Sequence, residues 1–152
     1  MNKQEIELLS LLSKMIDEYQ GKNEPLYCSL KKIKDDFFYI DINENLLKAT
    51  GLPTEIIGMN IYNPIFPGTF SDQLYKICEE AWRGKEVFYY VIPPTNKDTF
   101  FICVVKPIKN EGKVTEVKGY CAQMNRNDFD QFKGLFVNTW LCKKFGSIRG
   151  PG

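Results

Sequence analysis

The sequence predicts an α+β domain: a five-stranded antiparallel sheet with short helices on one face, flanked by an N-terminal and a C-terminal helix. Three observations predict it. Two strand patterns open the body and three more close it, each bounded by turn residues. The helical patterns between the two groups begin with pieces too short for a conventional crossover helix. Helical periodicity brackets the whole at both ends.

Residues 1–22 read as an amphipathic helix. Leu8, Leu12, Met15 and Tyr19 recur at 4-3-4 spacing, and Leu9, Leu11 and Ile16 widen the stripe. Such a stripe packs on its own domain or also pairs with its twin in a dimer, and the pattern fits both. Gly21 to Glu24 break the helix. Leu26 to Ile33 read as the first strand, and Lys34-Asp35 turn it into a second of aromatic and β-branched residues, Phe37 to Ile42. Asn43 offers an N-cap oxygen to a short helix, Glu44 to Thr50, which Gly51 ends in the left-handed conformation and Pro53 cannot continue. Thr54 to Gly58 make one further turn. After a loop with Pro64, Pro67 and Gly68, Thr69 or Ser71 caps a helix from Asp72 to about Arg83, with Leu74, Ile77, Cys78, Ala81 and Trp82 facing inward. Strands follow at Val87–Ile92, Thr99–Ile108 and Val114–Met124. The body therefore spans 25–125. Phe129, Phe132, Phe136 and Trp140 at 3-4-4 spacing predict a helix within 126–145, and 146–152 read as an unstructured tail.

The strand at Thr99–Ile108 is apolar on both faces. Phe101, Cys103 and Val105 point one way, and Phe100, Ile102 and Val104 the other. A sheet with one wet face would alternate with polar residues there. Something must cover the second face, and the N-terminal helix is the obvious cover, from its own chain or from a partner. The cover and dimer candidates are Leu8, Leu9, Leu12, Met15 and Ile16 against Phe100, Ile102 and Val104.

Composition excludes several classes. The 152 residues make one domain with flanking structure. A net charge of +1 without a basic stripe offers nothing to nucleic acid. No apolar run approaches membrane-spanning length, and the N-terminus lacks a signal peptide's apolar core. Five cysteines at irregular spacing do not make a disulfide framework, which predicts a reduced, cytoplasmic protein. There is no histidine, so the commonest general base and metal ligand are absent. No GxSxG, Gly-rich phosphate loop or CxxC occurs, and the adjacent acids Asp35-Asp36 and Glu79-Glu80 point apart. The chain does not read as an enzyme, and no metal site is predicted.

The stretch from Asp36 to Gly58 resembles a PAS domain: a strand, Asn43, a short helix, Gly51, a second short helix with Glu55, and Ile57-Gly58. Thr99 to Met124 is similar to that family's last two strands, with Pro107-Ile108 ending one and Gly112 in the turn. The resemblance covers roughly 25–125. It implies a sensory or signal-transduction module that binds a small ligand or a protein partner, forms a homodimer, and signals by rearranging the dimer or the flanking helices. The alternative is a ligand-free dimerisation domain with a filled core. A GAF-like or profilin-like sheet is the competing fold.

The cofactor is left unknown. Haem-binding members usually use histidine, which is missing. The flavin-adduct cysteine context of light-sensing members is missing too, since Cys78 lies in KICEE. By resemblance and strand parity, the pocket candidates are Phe38, Ile40, Leu47, Ile57, Tyr62, Phe66, Leu74, Cys78, Phe101, Cys103 and Cys121, with Tyr62 as a polar handle. The same residues also suit a filled core. The family's usual Asp-Ile-Thr after the last strand is replaced here by Met124 to Asp128, which puts the usual coupling to a downstream helix in doubt.

Overall fold

The computed structural model describes residues 2–97, 99–124 and 141–150. Helix α1 runs Lys3–Lys22; Asn2 caps it by accepting from the Glu5 N–H at 2.9 Å. Strands β1 (Leu26–Ile33) and β2 (Asp36–Ile42) form a hairpin. Helix α2 (Glu44–Thr50), a 3-10 turn (Thr54–Ile56) and helix α3 (Gly68–Trp82) follow. Strands β3 (Lys85–Val91), β4 (Phe100–Asn110), β5 (Lys113–Met124) and β6 (Cys142–Arg149) complete the described chain.

The sheet has six strands in the order β2-β1-β5-β4-β3-β6, and every neighbouring pair is antiparallel. β6 corrects the reading of the C-terminus. A helix was expected through 145 and a tail from 146, whereas Cys142 to Arg149 pair with β3. Residues 126–140 of that expected helix lie outside the described residues. The aromatic spacing that suggested it ends at Trp140. The following CKKFGSIR is a short, lysine-bearing edge strand with little alternation to announce it.

Two apolar layers form on opposite faces of the sheet. On the inner face α2 and α3 pack with Leu30, Phe37, Tyr39, Val87, Phe101, Cys103, Val105 and Val117. On the outer face Leu9, Leu12 and Ile16 of α1 pack on Phe88, Tyr90, Phe100, Ile102, Val104 and Ala122. The cover therefore comes from the chain's own N-terminal helix. Leu8 and Met15 flank the contact, whereas Leu11 faces outward at 47% exposure. Gly146 on β6 permits the closest approach, because a Cβ there would stand 3.2 Å from a Leu9 methyl.

Asn43 joins α2 to the sheet. Its Oδ1 accepts from the Leu46 N–H as the cap and from the Tyr27 N–H of β1 at 3.1 Å, while its Nδ2 donates to the Pro25 carbonyl. Gly51 ends α2 with φ 74°, a conformation that costs glycine nothing. Thr95 Oγ1 and Asn96 Nδ2 then donate to the last carbonyls of α2, at Thr50 and Ala49. Helix α3 starts earlier than the sequence suggested. Ser71 lies inside its first turn and donates to the Ile61 carbonyl at 2.9 Å, so it ties the preceding loop down rather than capping the helix.

Candidate functional site

A cavity of about 80 Å³ lies between the inner face of the sheet and the short helices. Five strands and two helices build its wall. β1 supplies Cys28 and Leu30, β2 Tyr39 and Ile42, β3 Tyr89 and Val91, β4 Phe101 and Cys103, and β5 Cys121. Leu46 and Thr50 come from α2, Phe70 and Leu74 from α3, and Leu52, Phe66 and Pro93 from the connections. Phe66 and Phe70 stack at 4.8 Å and close one side.

No lining residue carries a charge. The polar atoms are three thiols, the Thr50 hydroxyl and two tyrosine hydroxyls. Thr50 Oγ1 donates to the Leu46 carbonyl at 2.7 Å and is satisfied. Cys103 and Cys121 stand opposite each other on β4 and β5 with their Sγ atoms 3.3 Å apart. Tyr39 and Tyr89 are 6% and 4% exposed, and neither hydroxyl has a hydrogen-bond partner among the described residues. Burial, then the neighbouring Cys103 and Cys121 thiols, hold the Tyr89 hydroxyl well above its ordinary value. Burial does the same for Tyr39, with Cys28 next. Burial also pushes the Cys28, Cys78, Cys103 and Cys142 thiols up. These sulfurs are protonated and poorly nucleophilic at neutral pH. Gly119 of β5 leaves room over the sheet: a Cβ there would stand 3.3 Å from both Cys28 Sγ and the Tyr89 hydroxyl oxygen.

Of the pocket candidates from the sequence, Phe66, Leu74, Phe101, Cys103 and Cys121 line this cavity. Leu47 and Cys78 are buried in the inner core behind the wall. Phe38, Ile40, Ile57 and Tyr62 do not reach it. Leu30 stands opposite Tyr39 and Ser29 opposite Asp41, so Ile40 is an extra residue without a partner. This bulge reverses the alternation along β2. Phe37, Tyr39 and Ile42 all face inward, and Phe38 and Ile40 do not. The 3-10 turn buries Ile56 in place of Ile57. Tyr62 is 45% exposed and spends its hydroxyl on Asp72 at 2.9 Å, with burial and that contact pushing it up to about 12. The tyrosines that do line the cavity are Tyr39 and Tyr89. Strand parity would have found Tyr89, since it shares a face with Val87.

The sheet separates the cavity from α1 by one strand thickness. Phe101 and Cys103 line the cavity while their neighbours Phe100 and Ile102 carry α1. A polar link also crosses at the end of the helix. Gln20 Nε2 donates to the backbone carbonyl of Cys121 at 2.9 Å, and the thiol of Cys121 faces the cavity.

No family model matches the chain, and no curated protein matches it. Solved structures do. A sensory box sensor histidine kinase from Vibrio cholerae superposes over 78% of this chain and 97% of its own, with 17% identity and a TM-score of 0.54. A light-oxygen-voltage domain studied with a flavin analogue covers 80% of this chain and 92% of its own, with 16% identity and a TM-score of 0.51. This chain has the PAS fold. VqmA bound to DPO matches too, over 76% of this chain and 59% of its own, with 15% identity and a TM-score of 0.56. The strand order and the helices over the inner face are therefore those of the PAS fold, and the cavity occupies the space between those two layers. Among the described residues no group of three or more His, Cys, Asp or Glu side chains is placed to hold a metal ion. No described helix is long and apolar enough to cross a membrane.

Proposed function

We propose that this chain is a sensory PAS module that takes a small ligand in its inner cavity and reports occupancy through α1. The observation that carries the reading is the uncharged cavity with two tyrosine hydroxyls in its wall that have no hydrogen-bond partner among the described residues. A hydroxyl that lines a cavity without a protein partner is left for a ligand or for water. The likeness to VqmA bound to DPO is in keeping with a ligand-binding role. A three-ring flavin does not suit this cavity, which is about half the volume of one that takes a single benzene ring.

The route outward is short. A ligand against Phe101, Cys103 and Cys121 presses on the strands whose other faces hold Leu9, Leu12 and Ile16. It shifts α1 only by the difference in its affinity for two arrangements. A ligand this small binds with about 4–8 kcal/mol in total, so the two arrangements must lie within a few kcal/mol of each other. Ile6 and Leu11 stay exposed on opposite flanks of the buried stripe of α1, where a second copy would sense that shift.

Native mass spectrometry of freshly purified protein beside a denatured control tests the reading. Extra mass lost on denaturation supports it, and the same spectrum gives the oligomeric state. The second reading is a ligand-free interaction domain, favoured by how small the cavity is. A protein that carries no extra mass and gains none from small-molecule extracts would establish that one.

A further inference from the structure

We propose that the cavity selects a small, neutral molecule of at most about five heavy atoms that accepts hydrogen bonds from the hydroxyls of Tyr39 and Tyr89. This rests on the reading of the cavity as a ligand site. Size comes from the volume: about 80 Å³, about half of a cavity that takes benzene, is room for several waters and makes about five heavy atoms the upper limit. Neutrality comes from the wall, where no side chain is charged. A carboxylate or ammonium brought there would lose its hydration with no countercharge to replace it. Hydrogen-bond polarity comes from the two tyrosines. Each is more than nine-tenths buried, and neither donates to any described residue. Both hydroxyls remain protonated, so both can donate.

The other lining donors are spent or weak. Thr50 already donates to Leu46, Cys103 donates to the Cys121 sulfur at 3.3 Å, and the remaining thiols, Cys28 and Cys121, are weak donors beside a phenol hydroxyl. Tyr89 lines the cavity, and its hydroxyl lies over Gly119, 3.3 Å from where a Cβ would stand, so only a residue without a side chain admits it there. A ligand oxygen or unprotonated ring nitrogen seated there satisfies donors that the protein leaves unmet. An all-carbon ligand of the same shape leaves them unmet.

Four probes of equal heavy-atom number test this by amide NMR titration of the intact chain: tetrahydrofuran, cyclopentane, pyrrolidinium and propionate. The wild type is compared with Tyr39→Phe, Tyr89→Phe and, as a control outside the cavity, Tyr62→Phe. The expected result is that tetrahydrofuran shifts the resonances of Phe101, Cys103 and Cys121. Its dissociation constant should rise about tenfold when a donating hydroxyl is removed, the cost of one hydrogen bond. Cyclopentane binding should be unchanged or improved in the same variants, and the two ions should not bind. The readout is the change on substitution, so the greater apolarity of cyclopentane does not enter. The proposal is overturned if both rings respond alike to Tyr→Phe, or if either ion binds as well as tetrahydrofuran. If some probe binds but without the tyrosine dependence, the cavity remains a ligand site and only its selectivity is refuted. If no probe shifts any cavity resonance, the ligand-site reading fails along with it.

Discussion

Replacing Leu12 with Ala isolates what α1 contributes by covering the sheet. Leu12 is fully buried against the outer-face cluster of Phe88, Tyr90, Phe100, Ile102 and Val104. The change removes three carbons, worth about 2.4 kcal/mol in transfer free energy at roughly 0.8 kcal/mol each. The space left on a rigid sheet adds a cavity term, bringing the cost to about 3–4 kcal/mol. For a chain of this length that lowers Tm by roughly 6–16 °C. Leu11, one position away and 47% exposed, provides the contrast: Leu11→Ala should stay within about 0.5 kcal/mol. Urea unfolding followed by circular dichroism measures both. Because the cover is intramolecular, the difference between Leu12→Ala and wild type should not change between low and high micromolar protein. Equal stabilities for the two variants would refute the packing argument. A Leu12→Ala deficit that disappears at high protein concentration would refute the intramolecular cover.

Asn43→Ala removes the α2 cap and leaves the Tyr27 N–H without its acceptor, so it should cost about 2 kcal/mol in urea unfolding, against about 1 kcal/mol for a cap alone. Gly146→Val drives a side chain into Leu9 and should loosen α1, read as faster amide exchange along the helix with β1 and β2 unaffected. Stability under reducing conditions should be level from pH 6 to 8 and fall above about pH 9. The buried Cys78, Cys103, Tyr39 and Tyr89 have folded values well above the unfolded 9.0 and 10.0, so the unfolded chain loses protons that the folded chain keeps. Each fully titrating group contributes a slope of about 1.4 kcal/mol per pH unit, and unfolding at pH 7, 9 and 10 measures it. Iodoacetamide at pH 8 should label Cys78, Cys103 and Cys142 in the folded protein far more slowly than in urea, as peptide mass mapping would show.

The two-sided apolar strand was the most informative stretch of the sequence. From Phe100 to Val105 every residue is apolar, and the structure places alternate members in the two clusters on opposite faces of the sheet. Asn43, Gly51 and the short α2 were equally legible, because capping and left-handed termination are local chemistry. The pocket wall was only half legible. Its β4 and β5 members follow from alternation, but in β2 the two aspartates, Asp36 and Asp41, fall on opposite parities around Phe-Phe-Tyr-Ile and mark no single face. The bulge at Ile40 that reverses the parity is a property of the pairing with β1, not of β2 alone. The sixth strand escaped because edge strands need little apolar alternation and an aromatic helical pattern stood just before it. Tyr62 was a plausible handle by type, yet its hydroxyl meets Asp72 on the helix surface. The unpartnered hydroxyls are visible only once the hydrogen bonds of the whole site are known.

Occupancy of the cavity should be felt by α1 on the other side of the sheet. Hydrogen exchange of the protein as purified, compared with the same protein unfolded, stripped and refolded, decides it. Bound mass is expected in the first sample. Slower exchange is expected there in the second half of α1, where Gln20 meets the Cys121 carbonyl, and in β4 and β5. Identical exchange along α1 in loaded and stripped protein would contradict it.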